Sequence, residues 1–274
     1  MDLISYGDSI PEGYYRLHSA FEHAINFRKG RIIVSLVPPR TGSGPMNVVL
    51  KQLPAGARRF RASRFFFYID ENRLRKAPET LYDSAVPELE VEPEIVSANL
   101  AELVAVLAET APEKSLCFIF APKREKDFKR VFEKHLLARM KKALAFFRAG
   151  NYTRGAKTMR GLGFGLTPSG DDFLSGALAG FNYALRSLRL NMEERIEKIY
   201  RHAAGNNIIS NVSLRASYEG KVNAKILRLM RALSDASKPE IEASARDALT
   251  SGHTSGADFC AGLAFAIQDA LKAS

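Results

Sequence analysis

The chain has 274 residues, 46% hydrophobic and 26% charged, ordinary figures for a folded protein of one large domain or two modest ones. That balance excludes a disordered chain, a fibre and a coiled coil. The formal net charge of +10 is the one unusual figure, and it directs attention to anionic partners: nucleic acid, membrane surface, phosphate or carboxylate.

The opening stretch MDLISYGDSIPEGYY has no basic n-region and no apolar h-region, so no signal peptide is expected. The runs RIIVSLV (31–37), NVVLKQL (47–53) and RFFFYI (64–69) are β-branched or aromatic and predict strands. Turn-rich stretches from Pro38 to Pro45 and from Pro54 to Gly56 separate them. An acidic connection from Pro78 to Pro93 leads into a helix carrying Ile95, Leu100, Leu103, Val104 and Leu107, which ends before Pro112. SLCFIFA (115–121) is a short apolar run and predicts a buried strand.

From about residue 124 the pattern turns helical. A long basic amphipathic helix is predicted over 124–148, with Phe128, Val131, Phe132, Leu136, Met140, Leu144 and Phe147 along one stripe. Further helices fit 171–189, 193–203, 207–219, 222–234, 239–249 and 257–272, with breaks at Gly150, Gly205, Gly220 and Ser251-Gly252. The expected fold class is α+β, with a β-rich N-terminal part over 1–123 and an all-α C-terminal part over 124–274. No uninterrupted apolar run approaches the ~18 residues of a membrane-spanning helix. Cys117 and Cys260 lie in apolar runs and read as buried thiols in a reducing compartment, so a cytoplasmic location is expected.

The most informative feature is an internal echo. Gly165-Leu166-Thr167-Pro168-Ser169-Gly170-Asp171-Asp172-Phe173 runs into an apolar helix, and so does Gly252-His253-Thr254-Ser255-Gly256-Ala257-Asp258-Phe259. With Pro168 skipped, the two share Gly-x-Thr-Ser-Gly-x-Asp-Phe-x-x-Gly, Gly176 matching Gly262. The Ser-x-x-Asp spacing of Ser169 with Asp172 and of Ser255 with Asp258 fits a capping box, which makes Asp172 and Asp258 candidate helix caps. Capping leaves Asp171, His253, Thr167 and the glycine run from Gly161 to Gly165 unexplained.

Glycines ahead of a helix start let backbone N–H groups approach an anion. Gly163, Gly165, Thr167, Ser169, Gly170, Thr254, Ser255 and Gly256 are therefore candidate anion ligands. Asp171 is matched by Ala257 in the second copy, so capping does not require it, and it is the first candidate for chemistry. A bare carboxylate there would repel an anion unless it bound Mg²⁺, acted as a neutral acid or paired with a cation. His253 is the second catalytic candidate, as a proton carrier near neutral pH. A third polar stretch, Asn206 to Asn211, adds Asn207 and Ser210 as ligand candidates.

The motifs GLGFGLTPSGDDFLSG (161–176), SNVSLRASYEG (210–220) and GHTSGADF (252–259) resemble a prokaryotic domain family that includes the small third subunit of oxamate carbamoyltransferase. The Gly-Pro turn within GSGPMNVVL (42–50) is a weaker match. The resemblance implies an enzyme that exchanges a carbamoyl group between oxamate and phosphate and needs several subunits. It also leads one to expect threonines where this chain has Asn206-Asn207.

Three functions follow. The first is an enzyme or enzyme subunit that binds a small carboxylate or phosphate between the two helix starts, for carbamoyl or related acyl transfer, with Mg²⁺ at Asp171 as one form. The second is a non-catalytic partner subunit of a larger enzyme. The weakest is a nucleic-acid module, suggested by arginines interleaved with aromatics from Arg58 to Tyr68, a stretch that also reads as core strand.

Overall fold

A computed structural model describes residues 1–273, which form two compact units. The first comprises Met1–Ala85 with Val222–Ala224; the second comprises Val86–Lys221 and the chain from Lys225 onward. The α+β class holds.

The first unit is a nine-stranded sheet. Its strands are β1 (Leu3–Gly7), β2 (Gly13–Phe21), β3 (Ala24–Lys29), β4 (Ile32–Val37), β5 (Asn47–Leu50), β6 (Arg59–Ala62), β7 (Phe66–Ile69), β8 (Asn72–Arg75) and β9 (Leu81–Tyr82). Their order is β8-β7-β6-β2-β3-β4-β5-β1-β9. Pairing is antiparallel except for β4 with β5 and β1 with β9. Alternation along β6 and β7 buries Phe60, Ala62, Phe67 and Ile69, and the rings of Phe27, Phe60 and Phe67 pack on one another. The outward residues Arg61 and Tyr68 are cross-strand partners, with the guanidinium 3.8 Å from the ring centroid. The arginine–aromatic segment is thus half core and half surface.

The second unit is helical: α1 (Pro93–Thr110), α2 (Val131–Arg148), α3 (Tyr152–Met159), α4 (Ser169–Ser187), α5 (Glu193–Ala203), α6 (Ile208–Tyr218), α7 (Ala224–Asp235), α8 (Lys238–Leu249) and α9 (Ser255–Leu271). At its centre lie α4 and α9, the helices that follow the two motif copies. The contact between them is reciprocal. A Cβ on Gly176 would fall 1.9 Å from the Phe259 carbonyl oxygen, and one on Gly262 would fall 2.0 Å from that of Phe173. Phe173 and Phe259 are themselves equivalent in the repeat, so the two copies pack as matched halves. No helix among the described residues is long and apolar enough to cross a membrane.

Three expectations change. The units divide at Ala85 rather than near 123, because α1 buries Val96, Leu100, Leu103 and Leu107 within the helical unit, against α8 and α9. The run 115–121 is a 3-10 turn over Leu116–Ile119, with the Leu116 N–H bonded to the Asp258 carboxylate instead of to a strand. The long basic helix starts at Val131, where Glu133 accepts from the backbone N–H groups of Lys129 and Arg130 and so caps it. Helix α3 was not expected. It is short, and Gly155 within it allows the Phe147 ring to approach.

Candidate functional site

The two motif copies meet. The hydroxyls of Thr167 and Ser255 lie 3.0 Å apart, and Thr167 also donates to Asp172 Oδ2 at 2.9 Å. The copies share their backbone design. Gly165 and Gly252 both adopt positive φ, the left-handed region open to glycine. The Gly170 N–H donates to the Leu162 carbonyl, as the Gly256 N–H does to that of Ser251. Those two donors are therefore spent inside the fold. Both glycines are buried, because a Cβ would strike the carbonyls of Met159 and Ala248 respectively.

Neither Asp172 nor Asp258 caps its helix. The N-cap residues are Pro168 and Thr254, and neither makes a side-chain cap bond. Both acids point inward instead. Asp258 is fully buried; its Oδ1 accepts from the Leu116 N–H at 2.7 Å, while Oδ2 makes no aligned hydrogen bond and has the Ser169 and Thr254 hydroxyls nearby. Burial pushes its carboxyl up to about 7, against the pull of that N–H and of the Ser169 and Thr254 hydroxyls. Asp172 is raised well above the carboxylate range, first by burial and then by the charge of Asp258. Two buried carboxyls that repel each other's ionisation hold a proton near neutrality.

Asp171 is next to Asp172 in the chain, but about 100° round the helix, so it faces elsewhere. Its Oδ1 accepts from the Gly161 N–H at 2.7 Å. The buried Ser210 hydroxyl lies beside it, though not in an aligned hydrogen bond. Burial raises the Asp171 carboxyl, opposed by the Gly161 N–H, by Ser210 and by the charge of Arg160. Asp171 lines a cleft of about 420 Å³ with Arg160, Gly161, Pro168, Gly205, Asn206 and Asn207. Asn207 fixes one wall: its Oδ1 caps α6 through the Ile209 and Ser210 N–H groups, and its Nδ2 donates to the Leu166 carbonyl.

The sequence-derived candidates thus fall into two groups. Thr167, Ser169, Asp172, Thr254, Ser255 and Asp258 form a polar junction between the two copies. Asp171 and Asn207 line the cleft, and Ser210 is buried beside Asp171 without lining it. Gly163, with φ +123, packs on the Ser169 backbone N–H and shapes the loop between the groups. His253 is exposed on the turn before α9 and does not line the cleft. Among the described residues no three His, Cys, Asp or Glu side chains group so as to hold a metal ion. Sequence reasoning missed Arg160, the one cation of the cleft; its position directly ahead of the glycine run was the available signal.

A second concavity, of about 460 Å³, lies between α2 and α3 and is lined by Arg139, Lys142, Phe146, Arg154, Lys157 and Thr158. It carries no acid, and none of the repeated motif residues reaches it.

Residues 159–267 match the family described as oxamate carbamoyltransferase subunit AllH. The matched stretch runs from the end of α3 into α9 and takes in all three polar motifs, so it agrees with the resemblance those motifs carry. No curated protein and no solved structure matches the chain.

Proposed function

We propose that this chain is a subunit of a carbamoyl- or related acyl-transferring enzyme, and that it binds a small carboxylate or phosphate in the Asp171 cleft. One observation carries the reading: a buried carboxyl with a raised pKa shares a cleft with a single arginine and two asparagines. Arg160 supplies the positive charge and a planar donor fork that fits a carboxylate or phosphate. The Asn206 and Asn207 amides supply neutral donors.

Asp171 in its neutral form donates to a carbonyl or phosphoryl oxygen of the ligand; ionised, it repels the anion. Burial extends the range of pH over which it keeps its proton. The helix starts contribute less than their glycines suggest, because the Gly170 and Gly256 N–H groups are already bonded. Mg²⁺ at Asp171 is the weaker form of the proposal, with one carboxylate to hold the ion and the rest of its shell drawn from water and substrate.

Calorimetry with oxamate and with inorganic phosphate, each with and without Mg²⁺, tests this. Arg160→Ala should weaken binding about 10- to 100-fold, the worth of one charge-assisted hydrogen-bonded pair. Wild-type affinity should fall as pH rises through the Asp171 titration, and Asp171→Asn should remove that dependence. Unchanged affinity in Arg160→Ala would rule the cleft out as the anion site.

A further inference from the structure

We infer that Val131, Phe132, Phe164 and Leu166 form a docking lip beside the cleft for a second protein with apolar anchors and an acidic rim. The choice of another enzyme subunit as that protein rests on the function proposed above. In the helical unit the large exposed apolar side chains are Ile95 and these four, at 74% (Val131), 62% (Phe132), 46% (Phe164) and 54% (Leu166) exposure. They come from two places that meet: the first turn of α2 and the glycine loop. The Phe132 and Phe164 rings pack edge to face at 5.7 Å. Exposed apolar residues gathered in this way mark interaction sites, whereas single ones do not.

The loop is held in this presentation. The Leu166 carbonyl is bonded by Asn207, and Gly161, Gly163 and Gly165 take positive φ, which turns the apolar side chains outward while Gly161 and Pro168 line the cleft. A protein seated on the lip would border the cleft and shield a bound anion from water.

Charge selects the occupant. Lys129, Arg130, Lys134 and Arg139 flank the lip and are exposed. The one acid in that stretch, Glu133, is buried and paired with Lys114 at 2.9 Å. A second copy docked about a twofold axis would set this basic rim against itself, whereas an acidic rim would complement it. Glu133 is needed for the α2 cap, so it is unavailable to soften the repulsion.

The test is co-expression of the full chain with the remaining subunits of an oxamate carbamoyltransferase, read by size exclusion with light scattering. The wild-type chain should enter the complex. Val131→Asp/Phe132→Asp and Lys129→Glu/Arg130→Glu should each weaken assembly at least about tenfold. Tyr14→Asp, on the sheet unit, should assemble normally. Thermal melts confirm that the variants fold, and acids at the first turn of α2 favour the helix. Oxamate calorimetry on each isolated chain separates failure of the lip from failure of the cleft. Four results would overturn the inference: no complex with the wild type, equal assembly by all variants, a wild-type dimer that the lip variants dissolve, or binding to phosphatidylglycerol vesicles that the lip variants abolish.

Discussion

Gly176→Ala and Gly262→Ala should each cost the helical unit roughly 3 kcal/mol, the upper end of overpacking penalties. Alanine is the best helix former, so propensity alone would stabilise both variants. The opposite sign is expected because the added methyls have no room. Each would lie within about 2 Å of a backbone carbonyl of the facing helix, at Phe259 and at Phe173. A flexible side chain could swing away; a carbonyl inside a helix cannot. Relief requires α4 and α9 to separate, which loosens the Phe147, Phe173 and Phe265 cluster at their junction. Since both methyls drive the same separation, the double variant should cost less than the sum of the singles. Denaturant melts of the three variants check this. A cost below about 0.5 kcal/mol for either single variant would mean that the helices do not pack on these glycines.

Asp258→Asn should stabilise the protein at pH 8 by roughly 1–3 kcal/mol and destabilise it by about 1–3 kcal/mol at pH 4, where the wild-type carboxyl is already neutral. The sign follows from the raised carboxyl. A folded-state pKa of about 7 against an ordinary value of 3.8 means that the folded state holds a proton which the unfolded state has released. Stability from this group is therefore full below pH 4 and is lost as pH rises toward 7. The loss is on the order of 4 kcal/mol, set against about 1–3 kcal/mol for an imperfectly paired buried amide. The asparagine keeps the Oδ1 contact with the Leu116 N–H and cannot ionise. It also relieves Asp172, whose carboxyl the Asp258 charge raises. The difference between wild type and variant, followed by thermal melts from pH 4 to 8, cancels the titration of groups other than Asp258 and its neighbour Asp172. A variant that is less stable than wild type at pH 8 would show Asp258 to be ionised and well solvated by its neighbours.

Much of this was legible in the chain. The repeat raised the question of whether the two helix starts face each other, and the Thr167 and Ser255 hydroxyls lie 3.0 Å apart. The helices from α4 onward fall close to where apolar period and glycine breaks place them. Other features depended on direction, which spacing does not carry. Ser-x-x-Asp reads the same whether the acid turns back to its own helix start or inward to a neighbouring helix. Here Asp172 and Asp258 turn inward because α4 and α9 approach closely enough at Gly176 and Gly262 to bury both. Gly-rich loops suggest free N–H donors, yet the Leu162 and Ser251 carbonyls fold back on Gly170 and Gly256. The run 115–121 is too short for period to separate strand from turn. The division at Ala85 depends on which neighbours α1 buries its apolar stripe against, a tertiary choice.

The net charge of +10 offers an anion several places to bind, including the groove between α2 and α3 with its four cations. Locating the anion is therefore the decisive measurement. In a nitrogen-15 amide titration of the full chain with oxamate, binding in the Asp171 cleft predicts shifts concentrated at Gly161, Gly205, Asn206 and Asn207, abolished in Arg160→Ala. Shifts gathered instead at Arg139, Lys142, Arg154 and Lys157, and persisting in that variant, would contradict it.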